Sequence, residues 1–459
     1  MKKPNIIFIL ADDMGYGDFG KYSEGNAITP SLDWMVSEGV CLSQCYAESP
    51  VCTPSRAGLL TGRYHHRTGA LDMRELRGLN NLAVREITFA DVFKNNGYAT
   101  GIFGKWHNGT IGSKYHPNAR GFDEFVGFRG GMSYYYDWRL YYNDVIRKSD
   151  GRYITDVLTD EAIGFVNRHK NEQFFMYLPY NAPHSPLEAP EEDIKPFAAR
   201  GKYNRAVSTI YGMIYHMDKC IGKIFEELKR LGLDENTLVL FSSDNGPQFG
   251  GEGEMRTDRF NADLAGSKGN VYEGGIRVPA VLRWPGKLEK GVMKNCFAHG
   301  TDWFPTMLAA AGLNVPANLR LDGFNIMPAL TGETDETIAK RFWQWNRYQP
   351  ELTCNAAMRD DQWKLVRPPI KEAMTVLKED YDTDRIVERD PEAYSDNVRL
   401  PMPERILPPP EPPKLFDLDK DPYERNDLAS QYPERVKKMM SELETWFCEV
   451  EADRMTIKD

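Results

Sequence analysis

The stretch Ala47-Glu48-Ser49-Pro50-Val51-Cys52-Thr53-Pro54-Ser55-Arg56-Ala57-Gly58-Leu59-Leu60-Thr61-Gly62-Arg63-Tyr64 couples a cysteine to the start of a helix. Thr53 is a good N-cap and Pro54 suits the first helical position, so the pattern predicts a helix beginning there. Cys52 then stands just ahead of a helix N-terminus, where unpaired N–H groups and the dipole favour negative charge. Arg56, within the first turn, adds a permanent cation. A cysteine so placed is expected to be reactive, with an anion bound beside it. The alternative, true of most single cysteines, is a buried thiol at a strand end.

The rest of the chain sets bounds on what surrounds that stretch. At 459 residues it exceeds what one small core organises, so two domains or one large domain with an appendage are expected. Apolar and aromatic contents of 41% and 12% suffice for a packed globular protein. A net charge of −10 with no basic block excludes an electrostatic nucleic-acid binder. No apolar run reaches membrane-spanning length. The run Ile6 to Leu10 is too short for a signal-peptide core and is followed by Asp12 and Asp13, so it reads as a strand. The chain is expected to be cytoplasmic as written, or periplasmic or secreted with a leader already removed. The seven cysteines (41, 45, 52, 220, 296, 354, 448) form no C-x-x-C pair, and their odd number fits mostly free thiols.

Several apolar strand patterns end in the same kind of residue. Pro4 to Ala11 ends at Asp12-Asp13-Met14-Gly15, either a solvated turn or a hard-cation site. Thr88 caps a helix that stops at Asn96-Gly97, and Tyr98 to Gly104 is a strand ending at Lys105-Trp106-His107-Asn108. If strand geometry persists, Lys105 and His107 point the same way. Thr155 to His169 reads as an amphipathic helix. Phe174 to Tyr180 is a buried strand ending at His184, which is held between two prolines. Tyr203 to Leu231 has helical spacing, with His216 structural or on the surface. Thr237 to Ser243 is a strand ending at Asp244-Asn245-Gly246, ordinarily a turn. A turn explains each alone, but four strand ends carrying metal- and anion-binding residue types fit the edge of an open α/β sheet where ligands bind.

Cys-Thr-Pro-Ser-Arg followed by Ala-Gly-Leu-Leu-Thr-Gly-Arg resembles the signature of the type I, formylglycine-dependent sulfatases, and the resemblance extends over nearly the whole chain. It is similar to the bacterial carbohydrate sulfatases in particular. It implies an α/β, alkaline phosphatase-like sandwich: a large mixed sheet flanked by helices, with a smaller C-terminal antiparallel sheet and a packed helix. It implies a catalytic domain over 1–340 and a C-terminal subdomain over 341–459. Activity would be sulfate-ester hydrolysis after a formylglycine-generating maturase converts Cys52 to formylglycine, whose hydrate is the nucleophile. Asp12, Asp13, Asp244 and Asn245, with residue 52, would hold calcium; an all-oxygen set selects a hard divalent cation, and no His/Cys cluster calls for zinc. Lys105 and Lys268 would neutralise sulfate oxygens, Asp244 would help deprotonate the attacking hydroxyl, and His184 would protonate the leaving sugar oxygen. His107 would remove the proton that regenerates the aldehyde, and Arg56 would hold the hydrate.

The substrate expected from the resemblance is a sulfated sugar, a galactose or N-acetylgalactosamine sulfate cleaved in exo fashion. Candidates for its pocket are Trp106, Asn108, Tyr135, Arg139, Trp345, Asn346, Arg347 and Asn355. The region 113–150, rich in Gly, Tyr and Arg, is equally readable as a packing insert or a sugar-gripping loop. Residues 342–346 and 355–366 read as strands of the smaller sheet, 368–413 as a proline-rich insertion with little regular structure, and 433–450 as a closing helix. Two other functions remain open on the sequence: a phosphodiesterase or phosphonate monoester hydrolase on the same scaffold, and a non-catalytic sulfoglycan-binding protein with an unmodified thiol.

Overall fold

The run Asn-Ile-Ile-Phe-Ile-Leu-Ala is apolar on both sides of its backbone, and the fold places it in the middle of a sheet covered on both faces. The computed structural model describes residues 3–458 apart from 335–337, 339, 391, 398 and 399. Among these, ten strands form the main sheet: β1 (Asn5–Ala11), β2 (Val40–Tyr46), β3 (Ala99–Lys105), β4 (Glu124–Phe128), β5 (Arg139–Tyr142), β6 (Val145–Lys148), β7 (Phe174–Pro179), β8 (Thr237–Ser243), β9 (Ala280–Arg283) and β10 (Val292–His299). Their spatial order is β10-β2-β9-β8-β1-β7-β3-β4-β5-β6, and the run from β8 to β4 is parallel. The sheet is mixed because β9 runs antiparallel to β2 and β8, and β5 to both β4 and β6.

The two-residue period of β1 divides the core. Ile7 and Ile9 pack with the helices Ile154–Arg168 and Arg205–Arg230 on one face. Ile6, Phe8 and Leu10 pack on the other with the helices Phe89–Asn95 and Trp303–Ala310 and with Leu59 and Leu60. The predicted Thr88 cap is present as a capping box: Asp91 N–H donates to Thr88 Oγ1 (3.2 Å), and Thr88 N–H to Asp91 Oδ2 (2.9 Å).

A second, antiparallel sheet comprises β11 (Arg341–Gln344), β12 (Ala356–Asp360), β13 (Trp363–Arg367) and β14 (Lys414–Asp417). The helix Pro433–Arg454 covers one face through Met439, Leu443, Trp446 and Val450. The other face, through Trp343, Val366 and Phe416, packs with Tyr46, Ile276 and Phe297 of the main body. Trp343 Nε1–H donates to Ala47 O (2.9 Å), so the smaller sheet touches the chain just ahead of Cys52.

Three local expectations are corrected. The helix bearing Cys52 spans Cys52–Thr61 with Val51 at the N-cap, so the cysteine is the first helical residue; Thr53, already inside it, caps nothing. The region 113–150 holds β4, β5 and β6, which continue the main sheet in strands only four or five residues long. The proline-rich 368–413 segment contains the helices Lys371–Met374 and Lys378–Arg389, the longer lying between its prolines. Residues 391, 398 and 399 of that segment lie outside the described residues.

Candidate active site

Parallel pairing in register brings the strand ends together. Ala11 lies opposite Ser243 and Leu10 opposite Pro179, so residues 12–13, 244–245 and the loop carrying His184 leave the sheet at one edge. Asp12 N–H donates to Ala182 O (3.1 Å) and Asp13 N–H to Asp244 Oδ1 (3.1 Å), fixing the three loops to each other. Lys105 ends β3. His107 does not continue the strand: its φ of 53° turns the backbone left-handed, and a different turn delivers the imidazole to the same cavity.

Here the charges interlock in a largely buried cluster, with Lys268 and His184 at its open side. Arg56 bridges Asp244 Oδ2 (2.9 Å from Nε) and Asp12 Oδ1 (3.5 Å), and Lys105 Nζ contacts Asp12 Oδ2 (2.7 Å). Lys268 Nζ lies 2.7 Å from Asp13 Oδ1, and Asn245 Nδ2 donates to that oxygen (2.7 Å). Burial works to raise the Asp13 carboxyl, but Lys268, His184 and Lys105 hold it well below the usual range. Asp244 goes the other way: burial, only partly offset by Arg56, pushes it up to about 6. Burial and Lys268 depress His184 to about 3, and burial with Lys105 and Arg56 drives His107 well below its ordinary value. His184 Nδ1 lies 2.6 Å from Ser185 O, so with that nitrogen protonated Nε2 is left for the cavity.

Cys52 corrects the expectation of a reactive thiol. It is wholly buried, and burial outweighs the pull of Lys105 and Lys268, pushing the thiol up to about 12. At neutral pH the unmodified side chain is a protonated thiol, a poor nucleophile. All seven cysteines are free, as their number predicts.

Above the site opens a cavity of about 860 Å³, floored by Val51, His107, His184 and Lys268. Of the expected sugar-contacting residues, Trp345 and Arg347 line it, the guanidinium lying 4.8 Å from the indole. Arg139 lies instead in a neighbouring cavity of about 610 Å³, paired with Asp390 (3.3 Å). Trp106, Asn108, Tyr135, Asn346 and Asn355 are buried and do not line the cleft; their side-chain donors are spent on structure. Trp106 Nε1–H donates to Tyr115 O, and Asn108 Nδ2 to Trp106 O. Asn346 Nδ2 donates to Arg347 O and Gln349 O. The Tyr135 hydroxyl lies 2.8 Å from Asn181 O and 2.9 Å from His184 O, bracing the histidine loop. Asn355 donates to Trp345 O (2.7 Å) and Gly269 O (2.9 Å), tying the aromatic wall to the Lys268 loop.

One residue that the sequence does not single out is Glu75. Its Oε1 accepts from Gly131 N–H (2.5 Å) and lies 3.9 Å from His107 Nε2, while Oε2 is buried without a partner. A Cβ on Gly131 would come within 2.8 Å of His107 and 3.3 Å of Glu75, so a bare backbone is required there.

The donor set suits a hard cation. Asp12 Oδ1 and Asn245 Oδ1 are buried with no hydrogen-bond partner, and one ligand atom from each of Asp12, Asp13, Cys52 and His184 lies within 4.8 Å of the others. Orphaned carbonyl and carboxylate oxygens match the preference of calcium or magnesium.

The chain is similar to known proteins along most of its length. The family model described as Sulfatase matches residues 4–313, and one described as N-sulphoglucosamine sulphohydrolase, C-terminal, matches 267–394. The chain belongs to the sulfatase family and is a sulfuric ester hydrolase. It is 32% identical to arylsulfatase J of Mus musculus over 489 residues, covering 96% of this chain and 75% of that protein. It is 35% identical over 364 residues to N-acetylgalactosamine-6-sulfatase of Homo sapiens, covering 71% of this chain and 66% of that one. Among solved structures, Ps i-CgsB in complex with k-i-k-neocarrahexaose superposes with a TM-score of 0.81 at 31% identity, covering 97% of this chain and 93% of that one. The phosphonate monoester hydrolase of Agrobacterium radiobacter, at 20% identity and a TM-score of 0.64, shares the fold. No helix among the described residues is long and apolar enough to cross a membrane.

Proposed function

We propose that this sulfatase removes sulfate from a carbohydrate, with a galactose or N-acetylgalactosamine sulfate at a chain end as its substrate. The observation that carries this reading is the cleft itself. A cavity of about 860 Å³ stands over a cation-rich floor, and an indole and a guanidinium line it. That volume suits a sugar ring with its neighbour. Support comes also from Ps i-CgsB, solved with an oligosaccharide, and from relatives named as N-acetylgalactosamine sulfatases.

Asp12, Asp13, Asp244 and Asn245, with residue 52, would hold calcium, which when bound supplies positive charge to sulfate oxygens. Conversion of Cys52 to formylglycine by a maturase would supply the nucleophilic hydroxyl that the buried thiol lacks. Lys105 and Lys268, fixed on Asp12 and Asp13, offer preorganised cations to the transferring group. Arg56, locked between Asp244 and Asp12, orients the residue-52 side chain and offsets the carboxylates. Asp244 would help take a proton from the attacking hydroxyl. His184 would give a proton from Nε2 to the leaving oxygen; the negative charge of a sulfate ester entering beside it raises its affinity for that proton. His107, neutral and with both ring nitrogens unpartnered, is equipped to accept a proton.

Matched sulfate and phosphate esters of the same sugars test the reading. Matured protein with calcium should release sulfate from at least one sugar and leave the phosphate esters nearly untouched. Preferential cleavage of a phosphate diester or phosphonate monoester would overturn it.

A further inference from the structure

The wall opposite the cationic floor is built from two segments far apart in sequence. Glu75 comes from the loop after the short helix His65–Thr68, and Asp384 and Glu388 from one face of the helix Lys378–Arg389. All three carboxyls line the cleft. Asp384 is anchored, with Arg74 at 2.7 Å and Leu76 N–H at 3.3 Å. Glu75 is almost wholly buried, and its Oε2 has no partner. Glu388 is half-buried at the junction with the neighbouring cavity. Among the described residues it makes no ion pair at contact distance. The cleft therefore has an anion-seeking floor and a wall of mixed charge: Arg74, Arg347, Lys371 and Arg385 also line it, but Arg74 is paired with Asp384 and Arg347 with Asp72, which leaves the Glu388 carboxyl to meet a ligand directly. A carboxylate accepts hydrogen bonds from sugar hydroxyls, whereas a sulfate in the same place faces like charge.

Building on the carbohydrate reading above, we propose that Glu388, backed by Asp384 and Glu75, is a specificity-determining residue: it binds a free hydroxyl of the reacting sugar unit and rejects sugars carrying a second sulfate at that position. The helix Lys378–Arg389 is then the selecting wall of the active site, and the enzyme acts on the last sulfate of that face. Reactions that remove or never install the neighbouring sulfate must precede it.

The test compares matured wild type, Glu388→Gln and Glu388→Asp on three kinds of substrate. These are a monosulfated sugar that the enzyme turns over, the same sugar with one further sulfate at each remaining hydroxyl, and 4-nitrocatechol sulfate, too small to span the cleft. For wild type, the added sulfate should lower kcat/KM by at least about tenfold at one position. Glu388→Gln should recover most of that loss at the same position, Glu388→Asp should retain the discrimination, and turnover of the aryl sulfate should be alike in all three. Unchanged ratios in Glu388→Gln with normal aryl sulfate turnover would overturn the assignment. Turnover of the aryl sulfate with no release from any sugar would instead remove the carbohydrate reading, and this inference with it.

Discussion

The reaction floor and the selecting wall of this cleft obey different physical rules. On the floor every charge sits beside its opposite: Arg56 between two aspartates, Lys105 on Asp12, Lys268 on Asp13. The aspartates and Lys105 sit at the ends of strands paired in register, so their spacing is set by the sheet, while Arg56 comes from the Cys52 helix and Lys268 from a loop tied to it. On the wall three acids crowd together and, among the described residues, only Asp384 has a close cation, Arg74; burial together with Asp384 pushes Glu388 up to about 7. Glu75 is pushed to about 8 by burial, Asp384 and Glu388. The wall hangs on a helix between proline-rich stretches, outside the central sheet. Chemistry is thus built on rigid elements that a large buried core supports, and substrate choice on a segment that can change without disturbing that core.

The contrast predicts large penalties on the floor and graded ones on the wall. Arg56→Met should destabilise the calcium-free protein by about 3–5 kcal/mol, since it strands the buried Asp244 and leaves Asp12 with Lys105 alone; Glu388→Gln should leave stability within about 0.5 kcal/mol. Urea denaturation of the two variants checks both, and equal effects would erase the distinction. Next in size, His184→Ala should slow release from sugar sulfates by about 10² to 10⁴-fold while affecting aryl sulfates far less, because a nitrophenolate leaves without help. Kinetics on both substrate types check this, and equal losses would contradict the acid role.

The smallest effect concerns pH. Glu388 is faced by Asp384 and Glu75 and by the cations Arg74, Arg385 and Lys105. With its carboxyl raised to about 7, it is charged above that pH and neutral below. The penalty for a second sulfate should therefore fall several-fold as pH drops through 7, with Glu388→Gln showing a flatter ratio. Ratios of kcat/KM for singly and doubly sulfated sugars measure it.

What the sequence disclosed follows the same division. Asp12, Asp13, Lys105, His184, Asp244 and Asn245 were legible because each closes an apolar, β-branched run with a polar type that a buried strand end does not tolerate idly. Cys52 was legible through its surrounding pattern, but its protonation was not, since burial depends on the whole fold. Strands β4 to β6 escaped because four- or five-residue strands among glycines and tyrosines carry too little alternation. The helix Lys378–Arg389 was masked by flanking prolines, though Pro ends helices without forbidding one between two of them. Glu75 carries no signal at all in sequence. Its meaning comes from Gly131 and His107, which approach it only in three dimensions. Trp106, Asn108 and Asn355 stand near recognisable landmarks, yet proximity in sequence put them behind the cleft, where they brace it.

The central claim is that residue 52, once matured, cleaves a sulfate ester held on this floor. Its most direct test is sulfate release from a panel of sulfated mono- and disaccharides with calcium present. Protein co-expressed with a formylglycine-generating enzyme would be compared with Cys52→Ala, and residue 52 verified by mass spectrometry. Release from one regioisomer by the matured protein, and none by a Cys52→Ala variant that melts at the wild-type temperature, is the predicted result. Equal release by the variant, or none by protein verified as matured, would contradict the account.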